Sequence, residues 1–435
     1  MTFALDYPHL FQKAYEIKDT DPGLILIDKD FIERQSRAVK WLLQKISSSI
    51  LKGQSIMNIS LPVYIFDKRT MLQVFAYELR SAPYFLSRAF YTPNPIERLK
   101  WVNTFLLSQI FVSPLQTKPF NPILGETYQA KIGDMNIYLE QTVNKPPTAN
   151  FYCYDDSHTY KFYGYIATSA STGANSCKAL KLGKIYLEFK DGAKYRIYYP
   201  AVWISGTMFG KKLFNYKNTS LVVDEKNNYG AYVKFNLGDK GLFKKMFSSS
   251  KAILPDIIKG DILQMKDITI DTNGAKHKRE KKGTSYAVIS GRWTTEIKYD
   301  EEVFWNREDR ELLDMIEPDF KLPSDSSHRS DLNIFLTGKE EEAQIEKEKL
   351  EELQRNDRKL REPFNKEMIK EEKKEKAETK AKEKEEKKEK AKKDKEEKAK
   401  REKEQKEQKK REKEQKAKEK EELKHKKEQE HKKDK

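Results

Sequence analysis

The stretch Lys118-Pro119-Phe120-Asn121-Pro122-Ile123-Leu124-Gly125-Glu126-Thr127-Tyr128 separates two kinds of periodicity. Before it, apolar residues recur at spacings of three and four: Phe31, Ile32, Ala38, Val39, Leu42, Leu43 and Ile46, then Met71, Leu72, Val74 and Phe75, then Ile96, Leu99, Val102, Phe105, Leu106 and Ile110. That spacing predicts amphipathic helices that must pack on something. After it, strand formers alternate with polar residues, as in Ile137 and Leu139 or Ile185, Leu187 and Phe189, and Asp191-Gly192 predicts a hairpin turn. The dividing stretch is itself rigid and non-helical, because Pro119 and Pro122 flank Asn121.

The alternation continues to about residue 298, enough for roughly eight to ten strands without a long helix between them. Strands adjacent in sequence favour antiparallel pairing, and a sheet of that size must curl or close to protect its edges. The predicted class is α+β: a large antiparallel β-barrel, preceded by helices and followed by a helical C-terminal region. A barrel of more than about eight strands cannot fill its interior with its own side chains, so an apolar tunnel is expected.

The 435 residues carry 85 Lys plus Arg against 69 Asp plus Glu, a net charge of +16. Much of that charge lies in residues 366–435, where 55 of 70 positions are charged, 32 basic and 23 acidic. No aromatic residue follows Phe364 and no proline follows Pro363, so this tail has nothing with which to build a core. The expected organisation is an N-terminal segment over 1–38, a folded domain over 39–365 and a charged tail over 366–435. Interleaved Glu repels the phosphates that Lys would neutralise, so nucleic acid is not an expected partner. Anionic membrane surfaces are.

Catalytic chemistry finds no support. Gly206 to Lys211 has three residues between its glycines and no Ser or Thr after the Lys, so a phosphate loop is excluded. The six His show no metal spacing, and Cys153 and Cys177 give neither a disulfide framework nor a zinc pattern. No catalytic residue, metal or cofactor is expected. Apolar runs stop well short of a membrane span, which predicts a cytosolic protein with peripheral membrane contact.

The stretch Lys118 to Tyr128 resembles a signature of the oxysterol-binding-protein-related family. Leu61-Pro62-Val63-Tyr64, Met71-Leu72-Gln73, Pro95-Ile96-Glu97-Arg98, Ile289-Ser290-Gly291-Arg292-Trp293, Leu322-Pro323-Ser324-Asp325 with Arg329 and Asp331, and Lys347 to Arg355 follow the family pattern in order. The family hallmark Glu-Gln-Val-Ser-His-His-Pro-Pro stands here as Glu140-Gln141-Thr142-Val143-Asn144-Lys145-Pro146-Pro147. Asn144 and Lys145 replace the two histidines.

The resemblance implies a non-enzymatic, monomeric lipid carrier for a sterol, phosphatidylserine or a phosphoinositide, with exchange for phosphatidylinositol 4-phosphate as one form of the activity. It implies a headgroup site made by Lys118, Asn121, Asn144, Lys145, Lys347, Glu351 and Arg355, and a lid at Leu24, Ile25, Leu26 and Ile27. A lipid sensor that binds one ligand and signals through partners is the alternative. With Lys145 a permanent cation in place of imidazole, phosphoinositide uptake is expected to be insensitive to pH between about 6 and 8.

Overall fold

The computed structural model describes residues 15–17, 24–41 apart from 31, 35, 38 and 39, 61–112, 118–237 apart from 174, 208 and 209, 256–308 apart from 271–276 and 280–282, 312–364, 367 and 370. The chain divides into two compact units, Met1–Asp357 and Arg358–Lys435. In the second unit the described residues 358–364, 367 and 370 are helical.

Three helices open the main part of the first unit: α1 (Met71–Glu78), α2 (Ala82–Tyr91) and α3 (Pro95–Val112). Thr70 and Gln73 form a reciprocal capping box at α1, each side chain meeting the other's backbone N–H. Proline starts α3, where its missing N–H costs nothing, and the Asn94 carboxamide accepts from Ile96 N (2.9 Å) and Glu97 N (3.2 Å).

Among the described residues eighteen strands, two of them before the helices and the rest after, form one sheet in which every described ladder is antiparallel. The predicted hairpin is present, pairing Ile185–Phe189 with Lys194–Tyr198. The long strand Tyr160–Gly173 is a branch point. Its first part pairs with Ile185–Phe189 and leads on to Glu302–Asn306; its second part pairs with Ser176–Leu182 and leads to Leu24–Leu26 and Tyr15–Ile17. Where the partner changes, a Cβ on Gly164 would lie 2.0 Å from the Lys184 carbonyl oxygen, and one on Gly183 2.0 Å from that of Tyr165. Only glycine lets the two ladders diverge there.

The sheet wraps α3. Fourteen of that helix's 18 residues are buried, on all faces, so it is enclosed and not laid on a surface. Its contacts come from strands far apart in the sheet: Phe105 meets Phe162, Trp101 meets Phe304, Phe111 meets Trp305, and the Tyr216 hydroxyl donates to the Ile110 carbonyl at 2.9 Å. Interior space that so large a sheet cannot fill from its own strands is therefore taken, over this length, by a helix. A cavity of about 10 Å³, lined by residues that include Gln109, Lys181, Tyr199 and Tyr216, lies between α3 and the sheet and has room for one water-sized group.

The basic stretch 267–283 holds a short ladder of its own: Ile268–Ile270 pairs with His277–Arg279. Ile268 packs there on Leu221, Val223 and Leu263, and the Thr219 hydroxyl meets His277 Nδ1 at 2.9 Å. The run of lysines hides the short apolar alternation. Leu24, Ile25 and Leu26 form a buried strand paired on both sides, and Ile27 follows it, 40% exposed.

Tyr299 joins the enclosed helix to the sheet. Asn103 Nδ2 donates to the Tyr299 hydroxyl (2.8 Å), which donates to the Lys100 carbonyl (3.0 Å), all in the core. Tyr299→Phe leaves the buried Asn103 amide without its acceptor and is expected to cost about 1–3 kcal/mol, measured by urea unfolding.

Candidate functional site

A second, smaller core supports the site. Phe66–Thr70 and Lys118–Phe120 pair in parallel, with Phe66 opposite Lys118. Around them pack Val63, Phe66, Phe120, Leu332, Phe335 and Ala343. The rings of Phe66 and Phe120 are 4.9 Å apart, and those of Phe120 and Phe335 5.8 Å. The helical residues 340–357 dock here through Ala343, fully buried, and through Gln344 Oε1, which accepts from Val63 N at 2.8 Å.

The loop after Lys118 is locked from below. Gly125 takes a left-handed φ of 85°, its N–H donates to the Gln141 carbonyl (2.8 Å), and Gln141 N donates back to the Glu126 carbonyl (2.9 Å). Beneath the turn lies Arg329, whose guanidinium makes a fork with Asp331 (2.8 and 2.9 Å) and reaches Glu126 Oε2 (3.1 Å) and the Asn121 carbonyl (2.6 Å). The Ser326 hydroxyl donates to Glu126 Oε1 at 2.7 Å. Burial pushes the Glu126 carboxyl above its usual range, although Arg329 and these hydrogen bonds favour its charge.

Above this floor the structure brings five of the seven expected headgroup residues into one cluster. Lys118 Nζ donates to Asn121 Oδ1 at 2.7 Å. Lys347 pairs with Glu351 one turn along the same helix face (2.6 Å), and Arg355 stands 4.0 Å from the other oxygen of Glu351. Both Lys118 and Lys347 place their ammonium groups over the ring of Phe66, at 4.6 and 5.2 Å from its centroid. Protein crowds the Lys118 ammonium, and that burial, with repulsion from Lys347 and Arg329 and partial relief from Glu351, lowers its pKa to about 7. The residue as a whole remains exposed, so the notch is crowded but open to water.

Asn144 and Lys145 occupy the turn between the strands Met135–Val143 and Thr148–Asp155, Asn144 half-buried and Lys145 exposed. That hairpin is tied to the Lys118 loop through Gln141, but among the described residues neither Asn144 nor Lys145 bonds to the cluster. The sequence reading gave no role to Phe66, Glu126 or Arg329. Arg329 and Glu126 stand in family-like motifs, which was a signal; Phe66 carried none, because its place beside Lys118 depends on a pairing 52 residues apart. No group of three or more His, Cys, Asp or Glu suited to a metal stands among the described residues.

A curled antiparallel sheet packed around a helix is a fold shared with solved structures. The chain matches the Osh3 ORD in complex with PI(4)P from Saccharomyces cerevisiae with a TM-score of 0.55 at 20% identity, over 72% of this chain and 83% of that one. It matches the Osh1 ORD domain in complex with ergosterol with a TM-score of 0.56 at 20% identity, over 76% and 89%. The sequence pattern of the Oxysterol-binding protein family fits residues 46–396, and the chain belongs to that family. Oxysterol-binding protein 9 of Dictyostelium discoideum is 30% identical over 352 residues, 79% of this chain and 80% of the relative. Oxysterol-binding protein-related protein 8 of Homo sapiens is 26% identical over 289 residues, 63% of this chain but only 29% of that longer protein. The family is one of lipid binding and transfer, not of enzymes.

Replacing Arg329 by Met removes the counter-charge from Glu126 and Asp331 at once. The expected loss of stability is about 3–5 kcal/mol by chemical denaturation, partly recovered by adding Glu126→Gln.

Proposed function

We propose that this protein is a non-enzymatic carrier that takes a sterol or phospholipid from one membrane and delivers it to another, in exchange for a phosphoinositide such as phosphatidylinositol 4-phosphate. The observation that carries this reading is the notch at Lys118: an exposed lysine whose ammonium contacts, among the described residues, the oxygens of Asn121 and Pro119 and the ring of Phe66, with no carboxylate of the described residues bonded to it. Such a group lacks an anion. Lys118, Asn121, Lys347, Glu351 and Arg355 hold the phosphate-bearing headgroup, and Asn144 and Lys145 approach it from the neighbouring turn once it is bound. The complexes of the similar Osh3 and Osh1 domains, one with PI(4)P and one with ergosterol, support both ligand types.

The physical task is to avoid water. Passing one acyl chain of about 15 methylenes through water costs on the order of 12 kcal/mol at about 0.8 kcal/mol per methylene. Transfer from a bilayer to an apolar protein interior is close to neutral, so an enclosing protein removes most of that barrier. Among the described residues no helix is long and apolar enough to cross a membrane, and the carrier meets membranes peripherally in this reading.

The depressed pKa of Lys118 replaces the pH-insensitive behaviour expected from Lys145 alone. In the free protein the amine loses its proton near pH 7, so above that value an incoming phosphate must draw a proton back. Affinity for the phosphoinositide therefore falls as pH rises from about 7 to 9, by at most about tenfold per unit. The ligand's own second ionisation, near pH 6, lies below this window. Lys118→Arg removes the dependence, because guanidinium stays charged.

Transfer between vesicles tests the whole reading. Wild type should accelerate movement of both a sterol and phosphatidylinositol 4-phosphate at sub-stoichiometric amounts. Lys118→Ala with Lys145→Ala should lower phosphoinositide extraction by about 10- to 100-fold, given roughly 1.5–3 kcal/mol per hydrogen bond to a charged group, and spare the sterol. A wild type that moves neither lipid disproves the carrier.

A further inference from the structure

Three cations meet at the notch, and each is compensated differently. Arg329 has two carboxylates, Glu126 and Asp331. Lys347 has Glu351. Lys118 has carbonyl oxygens and the face of Phe66; the charged groups that bear on it are Lys347 and Glu351 from the C-terminal helix and Arg329 from beneath.

We propose that Phe66 is a positioning residue of the anion site, its ring drawing in the ammonium groups of Lys118 and Lys347 and stabilising the charge on Lys118 without cancelling it. The inference rests on the headgroup reading of this notch. A carboxylate in place of Phe66 would neutralise Lys118 and compete with an incoming phosphate. An aromatic face attracts a cation through its quadrupole yet carries no net charge, so the field of the two ammonium groups remains available to a ligand. The ring is fixed in the required place: it is buried, it contacts Phe120 at 4.9 Å, and strand register sets it opposite Lys118. Two like charges over one ring repel each other, and an anion bound between them relieves that repulsion. Phe66 thereby makes the notch selective for lipids that bring a phosphate.

The test replaces Phe66 with 3,4,5-trifluorophenylalanine, which keeps the shape of the ring and weakens its attraction for cations, alongside Phe66→Leu and Phe66→Tyr. Lysine labelled with 13C at Cε reports the titration of Lys118 in the lipid-free protein. Extraction is read from phosphatidylcholine vesicles containing either phosphatidylinositol 4-phosphate or a fluorescent sterol. With the fluorinated ring, the Lys118 midpoint should move to lower pH, phosphoinositide extraction should fall by about 2- to 30-fold, and sterol extraction should stay unchanged. Phe66→Leu should act in the same direction and Phe66→Tyr should behave like wild type. A fluorinated protein whose Lys118 titrates as in wild type overturns the proposal, as does equal loss of both lipids. If wild type extracts no phosphoinositide, the headgroup reading fails, while the Lys118 midpoint still decides the role of Phe66.

Discussion

One guanidinium, buried between two carboxylates, holds the functional end of this molecule in register. Arg329 spans Asp331 on its own segment and Glu126 on the loop that follows Lys118, and also takes up the Asn121 carbonyl. Glu126 in turn collects the Ser326 hydroxyl and the Ile123 N–H. Segments some 200 residues apart thus meet at a point where an unpaired charge would be severely penalised, and the loop has few alternative conformations in which all these partners are satisfied. The notch above inherits that rigidity. Asn121 points its carboxamide at Lys118 while its carbonyl is held from beneath.

The notch and its floor divide electrostatic work in opposite ways. Below, every charge has a counter-charge and the result is structural. Above, the positive groups are set on aromatic rings and on one glutamate, and the local balance remains positive. Burial makes this arrangement costly for a free amine, which is why Lys118 holds its proton weakly when nothing is bound. An anion would reverse that cost, so empty and loaded forms differ in protonation as well as in contents.

Much of this was legible in the sequence, for identifiable reasons. The change of period at Lys118 to Tyr128 marked the passage from helices to a large antiparallel sheet, because side-chain periods of 3.6 and 2 are direct imprints of burial. The spacing of Lys347, Glu351 and Arg355 placed them on one helical face, and the 2.6 Å pair between the first two follows from it. What was not legible depended on distant partners. Nothing in Leu24-Ile25-Leu26 itself shows that Leu213 and Phe214 lie beside it in the sheet. Apolar positions all round α3 signal burial, but not which strands would pack about it. Phe66 looks like any core aromatic, and only the parallel pairing with Lys118–Phe120 gives it an electrostatic neighbour.

The enclosure of α3 bears on how the chain assembles. In order of synthesis this helix precedes Thr127 and every strand after it, so it is complete before the strands that surround it emerge. Those later strands can add to it in hairpin steps, each with little loop-closure entropy. The two N-terminal strands are the exception. Leu24–Leu26 waits for Leu213 and Phe214, about 190 residues later, before it has a neighbour in the main sheet. Among the described strands, Tyr15–Ile17 and Leu24–Leu26 therefore precede the others in the chain yet join the main sheet only after Leu213 and Phe214 are in place.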